Sequence, residues 1–336
     1  MLPMRIAQVP PLFEAVPPRL YGGTERIISY LTEGLVARGH DVTLFASADA
    51  GTAATLVPVR EQALRLDPRP LKSPIAAHLA MLHQVRARAD EFDVIHFHLS
   101  HFLHFPVFEH WAAKTVTTPH GRLDYVDLPA AYACWPDFPL ISISLRQRQP
   151  LADANWVGNV YHGLPCDMLR PLPYRSGSEP YLAFLGRLSR DKRPDRAIEI
   201  ARLSGMKLKI AAKVGEDDRS YYASEIQPLI DGDRIEYLGE IGDDRKAEFL
   251  GNATALLFPI DWPEPFGLVV IEAMALGTPA IVWNEGAMPE IVDQGASGFV
   301  VDSIDEAVGR VADAARLDQG GVRGVFERRF LADRMV

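Results

Sequence analysis

The chain is poor in cysteine, with Cys134 and Cys166 alone among 336 residues. Two thiols so far apart build neither a disulfide framework nor a metal site, and they suit a reducing compartment. Positive charge is also short. Lys and Arg number 35 against 44 Asp and Glu, a formal charge of −9. This excludes nucleic acid as the main partner and requires any bound anion to be held by a few placed groups. No apolar run reaches the roughly 18 residues that would read as a membrane span. The opening residues Met1–Pro10 lack the basic leader and long apolar run of a secretory signal and read as a strand. The expected location is therefore cytoplasmic. Repeats and low-complexity segments are missing as well. So is a Gly-x-Gly-x-x-Gly after the first strand, which argues against a dinucleotide-dependent dehydrogenase.

Apolar residues are plentiful, 48% of the chain, enough for two cores. Short apolar runs alternate with helical patterns throughout. Met4–Pro10, Asp41–Ser47, Val94–His98, Thr115–Pro119, Pro139–Ser144 and Asn159–His162 read as buried strands. Tyr181–Leu185, Leu208–Val214, Ile235–Tyr237, Ala255–Pro259, Pro279–Trp283 and Phe299–Val301 form a second set. Intervening helices are expected at Thr24–Arg38, Pro74–Glu91, Asp195–Leu203, Tyr221–Ile230, Asp243–Asn252, Gly267–Leu276, Met288–Val292 and Asp305–Leu317. Strand–helix alternation means parallel sheets with crossover helices. The fold class is α/β, with two doubly wound domains joined by the Pro-, Ser- and Gly-rich stretch Leu169–Pro180. The expected domains are 1–172, 173–321, and a C-terminal helix starting in 322–336. In such sheets ligands bind beyond the carboxyl ends of the strands, so two facing domains would share a cleft.

The strongest chemical signal is Glu264-Pro265-Phe266-Gly267-Leu268-Val269-Val270-Ile271-Glu272. Its carboxylates stand eight positions apart. The first lies in a Pro-rich loop and the second in an apolar helix about two turns later. The helix N-terminus between them offers free N–H groups to a phosphate. Glu264 suits the hydroxyls of a sugar and Glu272 those of a ribose. In a helix apolar nearly all round, a charge at Glu272 also requires a partner. Next, Gly186-Arg187-Leu188-Ser189-Arg190-Asp191-Lys192 follows a strand. Arg187 and Lys192 can clamp a diphosphate with a planar fork and a point charge.

Gly22 and Gly23 open a helix after a long Pro-rich loop, where backbone can approach a phosphate closely. His120 ends a strand in Thr118-Pro119-His120-Gly121, a ligand-facing position in this architecture. His96, His98, His101, His104 and His110 cluster among Phe97, Phe102, Phe105, Phe108 and Trp111. Without a carboxylate or thiolate at ligand spacing they read as packing and as an acceptor-side wall, not as zinc ligands. The spacing of His101 and His104 places both on one helix face. His98 and His101 are the candidates near an acceptor, with Asp124 as an accessory group. Tyr161-His162-Gly163 reads as a turn. The helix at Pro74–Glu91 has Ile75, Leu79, Leu82 and Val85 on one side and reads as a cover for the sheet, with peripheral membrane contact as its alternative use.

The segment Phe258–Glu272, continued by Ala273-Met274-Ala275-Leu276-Gly277-Thr278-Pro279, resembles the Glu-x7-Glu signature of retaining glycosyltransferases of family 4, which have the GT-B fold. The resemblance implies two Rossmann-like domains facing each other across a cleft, an N-terminal one for the acceptor and a C-terminal one for the donor. It implies that Glu264 contacts donor-sugar hydroxyls, that amides around Phe266, Gly267 and Leu268 contact sugar and phosphate, and that Glu272 holds the ribose. Arg187 and Lys192 would bind the diphosphate and stabilise the leaving group in place of a metal. Gly22, Gly23 and His120 would face the transferred sugar. Backbone at Lys213, Val214 and Ile241 would meet the base.

The implied reaction moves a hexose, with retention, from a UDP- or GDP-linked donor to a hydroxyl of a glycan, a lipid-linked intermediate or a small molecule. No cofactor or metal is expected. A nucleotide-sugar epimerase and a non-catalytic nucleotide-sugar sensor are the alternatives for the same constellation. The family's Lys-Gly pair is Lys192-Arg193 here.

Overall fold

The computed structural model describes residues 2–19, 22–99, 101–171 and 179–336. Tyr21 of the glycine motif and the expected boundary at residues 172–173 lie outside them. Two compact units divide the chain: Met1–Leu164 with Ala332–Val336, and Pro165–Leu331.

Among the described residues the first unit carries seven strands: β1 (Arg5–Val9), β2 (Asp41–Ser47), β3 (Thr55–Arg60), β4 (Val94–Phe97), β5 (Thr115–Thr117), β6 (Leu140–Ser142) and β7 (Trp156–Asn159). All pair in parallel in the order β3-β2-β1-β4-β5-β6-β7. Helices α1 (Gly23–Ala37), α2 (Pro74–Ala87), α3 (His104–Phe108) and α4 (Leu128–Ala133) belong to this unit. The inner strands are buried on both faces, which explains their unbroken apolar runs. Phe45, Phe92, Phe97, Phe105, Phe108 and Phe138 fill the core with Met81, Leu82 and Val85 of α2.

Several expectations need correction here. β3 had no signal in the sequence: it is a half-exposed edge strand containing Pro58, and proline is tolerated at such an edge. β7 lies at Trp156–Asn159 and not at Asn159–His162, because an edge strand with mixed exposure gives weak patterning. His101 precedes α3, so it shares no helix face with His104. On α2 the buried stripe is His78, Met81, Leu82 and Val85, while Ile75 and Leu79 are exposed. The two stripes share Leu82 and Val85 and part only in the first two turns, so the buried face is turned by roughly half a residue step, about 50°.

The second unit carries β8 (Tyr181–Arg187), β9 (Lys207–Lys213), β10 (Ile235–Gly239), β11 (Ala255–Phe258), β12 (Ala280–Trp283) and β13 (Gly298–Val301), in the order β10-β9-β8-β11-β12-β13. All are parallel. Its helices are α5 (Pro194–Ser204), α6 (Arg219–Tyr221), α7 (Asp243–Gly251), α8 (Leu268–Ala275), α9 (Met288–Ile291), α10 (Ile304–Ala314) and α11 (Gln319–Arg329). The helix expected at Tyr221–Ile230 is only α6, a wide π turn over Tyr222–Ile226 and a tight turn over Gln227–Leu229. Pro228 has no N–H for a regular last turn.

In both units the strand order reverses about a central pair, β1/β4 in one and β8/β11 in the other. That is the doubly wound Rossmann-like arrangement, and ligands bind where the order reverses. The C-terminal stretch is two helices, broken at buried Phe330. The last, α12 (Ala332–Met335), packs on α1 in the first unit, where a Cβ at Gly34 would sit 2.5 Å from Val336 Cγ2.

Candidate functional site

In the second unit, β8 delivers Arg187 at its carboxyl end, directly in register with Lys213 of β9. Asp218 and Asp191 hold Arg187 at 3.3 and 3.8 Å. The turn after β8 brings Lys192 to Glu264, which it meets in a charge-assisted hydrogen bond. Trp262 and Phe258 present ring faces to the same ammonium, at 4.5 and 5.4 Å from their centroids. The Asp261 N–H donates to the Asp191 carbonyl at 2.8 Å, tying the loop after β8 to the loop after β11. Thus residues 72 positions apart, Lys192 and Glu264, become one half-buried ion pair.

Arg193, where the resemblance expects glycine, takes the left-handed φ of 52°. Its guanidinium bonds Asp195 and Asp261. These bonds offset a backbone conformation that costs a side-chain-bearing residue about 1–2 kcal/mol.

Glu264 is positioned through its backbone. Its carbonyl accepts from the Ala287 N–H at 2.9 Å. Gly286, at φ 52°, approaches so closely that a Cβ there would lie 2.3 Å from Glu264 N and O. Gly267 caps α8 at φ 88°, and a Cβ on it would meet Met288 Cε at 2.6 Å. Glycine is required at both places. On α8, Glu272 is buried and has the partner its surroundings demand: Lys246 Nζ of α7 donates to Oε1 at 2.8 Å. Asp243 takes a second contact with Lys246 at 3.1 Å. Burial alone would lower the Lys246 pKa, but Glu272 and Asp243 more than reverse it, and it stands above the ordinary lysine value. Val214 and Ile241 are half-buried in the loops after β9 and β10.

The first unit's switch point holds imidazoles instead of ion pairs. Gln8 Oε1 can only accept, so His98 Nε2 donates to it at 2.7 Å. A neutral His98 then accepts at Nδ1 from His120 Nε2, 3.0 Å away. His120 Nδ1 in turn faces His162 Nε2 at 3.4 Å. His96 bonds Thr118 Oγ1 at 2.8 Å and lies against His98, ring centroids 3.9 Å apart. Burial pushes His96 and His162 down to about 3, and His98 and His120 well below the usual imidazole value. Both ring nitrogens of His120 are therefore engaged with other histidines, the contact to His162 being the long one.

His101 stands apart from this chain, edge-on to His78 at 4.6 Å, with neither ring nitrogen bonded among the described residues. His104 is a core residue, stacked on Phe97 at 4.3 Å and bonded to Thr117. Asp124 is taken up by Arg122 in a bidentate pair at 2.6 and 2.5 Å. Gly22 is buried, and a Cβ on it would lie 2.8 Å from Pro18 Cβ and within 3.2 Å of Glu14 and Glu25. Glycine here lets the loop before α1 fold back. Gly23 is the first residue of α1, half-buried.

Gln8, His162, Lys246 and Gly286 are brought into these clusters without having been singled out by sequence as site residues. A buried polar Gln8 inside an apolar strand was the one available signal. Among the described residues no cluster of His, Cys, Asp and Glu could hold a metal, and no helix is long and apolar enough to cross a membrane.

Comparison with known proteins gives this arrangement a class. Solved structures align over nearly the whole chain. Sucrose-phosphate synthase from Thermosynechococcus elongatus has a TM-score of 0.77 at 19% identity, covering 99% of this chain and 96% of that one. Anabaena HepE in complex with UDP and glucose has a TM-score of 0.72 at 17% identity, covering 99% and 97%. The two Rossmann-like units are those of a GT-B glycosyltransferase. Two family models match, Glycosyltransferase Family 4 over residues 21–156 and Glycosyl transferases group 1 over residues 173–317. A D-inositol 3-phosphate glycosyltransferase from Mycolicibacterium smegmatis is 25% identical over 335 residues, 84% of this chain and 76% of that one. The chain belongs to the family 4 glycosyltransferases.

Proposed function

We propose that this glycosyltransferase moves a hexose, with retention, from a UDP- or GDP-linked donor to an acceptor hydroxyl. The observation that carries the reading is the Lys192–Glu264 pair on the loops after β8 and β11, with Arg187 at the end of β8 beside them. An ammonium has three donors, and one goes to Glu264. The others serve the diphosphate together with the Arg187 fork, while the second oxygen of Glu264 accepts from a sugar hydroxyl. Glu272 takes the ribose, and the amides at Phe266, Gly267 and Leu268 seat sugar and phosphate at the helix N-terminus. Backbone at Lys213, Val214 and Ile241 meets the base.

In the transfer, the bond from the anomeric carbon to the diphosphate oxygen breaks, and the bond to the acceptor oxygen forms on the same face. The acceptor proton passes to the departing phosphate. Arg187 and Lys192 stabilise the charge developing there, the role a metal plays elsewhere. The first unit is assigned to the acceptor, with His98 and His101 as its candidate contacts and Asp124 accessory; Gly22, Gly23 and His120 are assigned to the transferred sugar. The acceptor is a glycan, a lipid-linked intermediate or a small molecule. Exposed, unpaired Cys134 and Cys166 suit the reducing cytoplasm.

Thermal unfolding with UDP, GDP, ADP and dTDP in the presence of EDTA tests the donor reading. A nucleotide at about 100 times its Kd adds roughly 2.7 kcal/mol of stability. A shift with one of them names the base and supports a metal-free clamp; no shift with any removes the reading. With the matching sugar nucleotide, NMR of the product's anomeric configuration separates retention from inversion, and conversion of the donor without acceptor would reveal an epimerase.

A further inference from the structure

Lys246 is a buried cation outside the donor signature. It stands at the start of α7, its side chain 13% exposed, and reaches across to Glu272 on α8, whose side chain is 8% exposed. Both helices follow strands of one parallel sheet, so their first turns rise from the sheet's ligand-binding end. The ammonium spends one donor on Glu272 Oε1 at 2.8 Å and one on Asp243 Oδ1 at 3.1 Å. Its third donor has no acceptor among the described residues. Glu272 keeps Oε2, and the cluster of one ammonium and two carboxylates keeps one net negative charge.

A fixed ammonium beside a carboxylate with one open oxygen is complementary to a vicinal diol. One hydroxyl donates to the carboxylate, and the oxygen of its neighbour accepts from the ammonium. A lone carboxylate can take protons from two hydroxyls but offers no donor to either. The structural alternative, an ion pair that only pins α7 to α8, would spend the energy of desolvating two charges for a contact that apolar side chains could supply as well.

We propose that Lys246 is a second nucleotide-reading residue, which orients Glu272 and donates to a ribose hydroxyl, so that the pair selects an intact 2′,3′-diol. This rests on the assignment of Glu272 to the ribose.

Titration calorimetry of the full chain tests it, using UDP or GDP (whichever stabilises the protein) and the 2′-deoxy and 3′-deoxy forms of the same nucleotide. The wild-type chain should bind each deoxy form roughly tenfold more weakly, the worth of one charge-assisted hydrogen bond. Lys246→Met should weaken the ribonucleotide about tenfold and the deoxy forms less than about twofold, collapsing the preference. Glu272→Gln should also flatten it. If Glu272→Gln flattens the preference and Lys246→Met keeps it, Lys246 is structural and the proposal falls while the ribose assignment stands. If the wild-type chain shows no preference, or Glu272→Gln retains it, the ribose assignment falls and takes the proposal with it. The wild-type arm stands even if Lys246→Met does not fold: loss of affinity on removing only one of the two hydroxyls contradicts reading of a diol.

Discussion

Two sheets that share one strand order over six strands carry opposite chemistry at the same topological place. Where β8 and β11 diverge, Arg187, Lys192, Glu264 and their acidic partners form a network of formal charges. Where β1 and β4 diverge, Gln8, His98, His120 and His162 form a chain of neutral groups held by hydrogen bonds and ring contacts. A parallel sheet with helices on both faces opens its loops at the carboxyl ends whatever residues they contain. The backbone thus specifies where a ligand binds, and the side chains specify what kind. Charges proposed to meet a diphosphate must be paired to survive half-buried, and each pair must be able to open toward the ligand. Buried imidazoles avoid that cost by staying neutral, and they can still exchange donors and acceptors with hydroxyl groups.

The charged switch point predicts the largest effect. Lys192→Ala should lower kcat about 10²–10³-fold, the usual loss for one preorganised electrostatic group, while nucleotide affinity changes less than about tenfold. Steady-state kinetics beside calorimetry check it; a kcat within threefold of wild type would remove the leaving-group role.

The support of that site comes next. Gly286→Ala places a methyl against the Glu264 backbone at a left-handed φ. It should destabilise the chain by about 3 kcal/mol and weaken donor binding. A urea melt that overlays wild type would show that the loop gives way instead.

The buried imidazoles of the first unit, at its switch point and in its core, should respond to pH. Unfolded imidazoles take up protons near their ordinary value of 6.5, whereas folded His96, His104 and His162 do so only near 3. Between those values the unfolded chain binds more protons, so stability present above pH 6.5 is lost as pH falls toward 3. The slope is at most about 1.4 kcal/mol per pH unit per histidine. Urea midpoints between pH 7.5 and 5, above the carboxylate range, measure it. His104→Gln should flatten the slope, and an unchanged slope would assign the loss to other groups.

The smallest effect is expected from Arg193→Gly. It relieves left-handed strain and gives up ion pairs to Asp195 and Asp261 on a partly exposed surface. The two changes should cancel to within about 1 kcal/mol. A larger loss would make the Arg193–Asp261 pair a real brace of the loop after β8.

The sequence alone determined the alternation of strands and helices, because backbone sterics and burial write their periods into neighbouring residues. It also carried the Glu-x7-Glu and Arg–Lys motifs, since each lies within a single loop and helix. Edge strands β3 and β7 escaped it: Pro58 and mixed exposure erase the alternation that buried strands show. The demand that Glu272 have a partner was local, but the partner was not. Lys246 lies 26 residues away on another helix, and Gln8 lies 90 residues from His98 on another strand. Gly286 likewise looks like any turn glycine until the chain lays it on the Glu264 backbone. These pairings were decided by strand order and helix placement, which bring distant residues together through whole-sheet packing and leave no trace in the residues beside them.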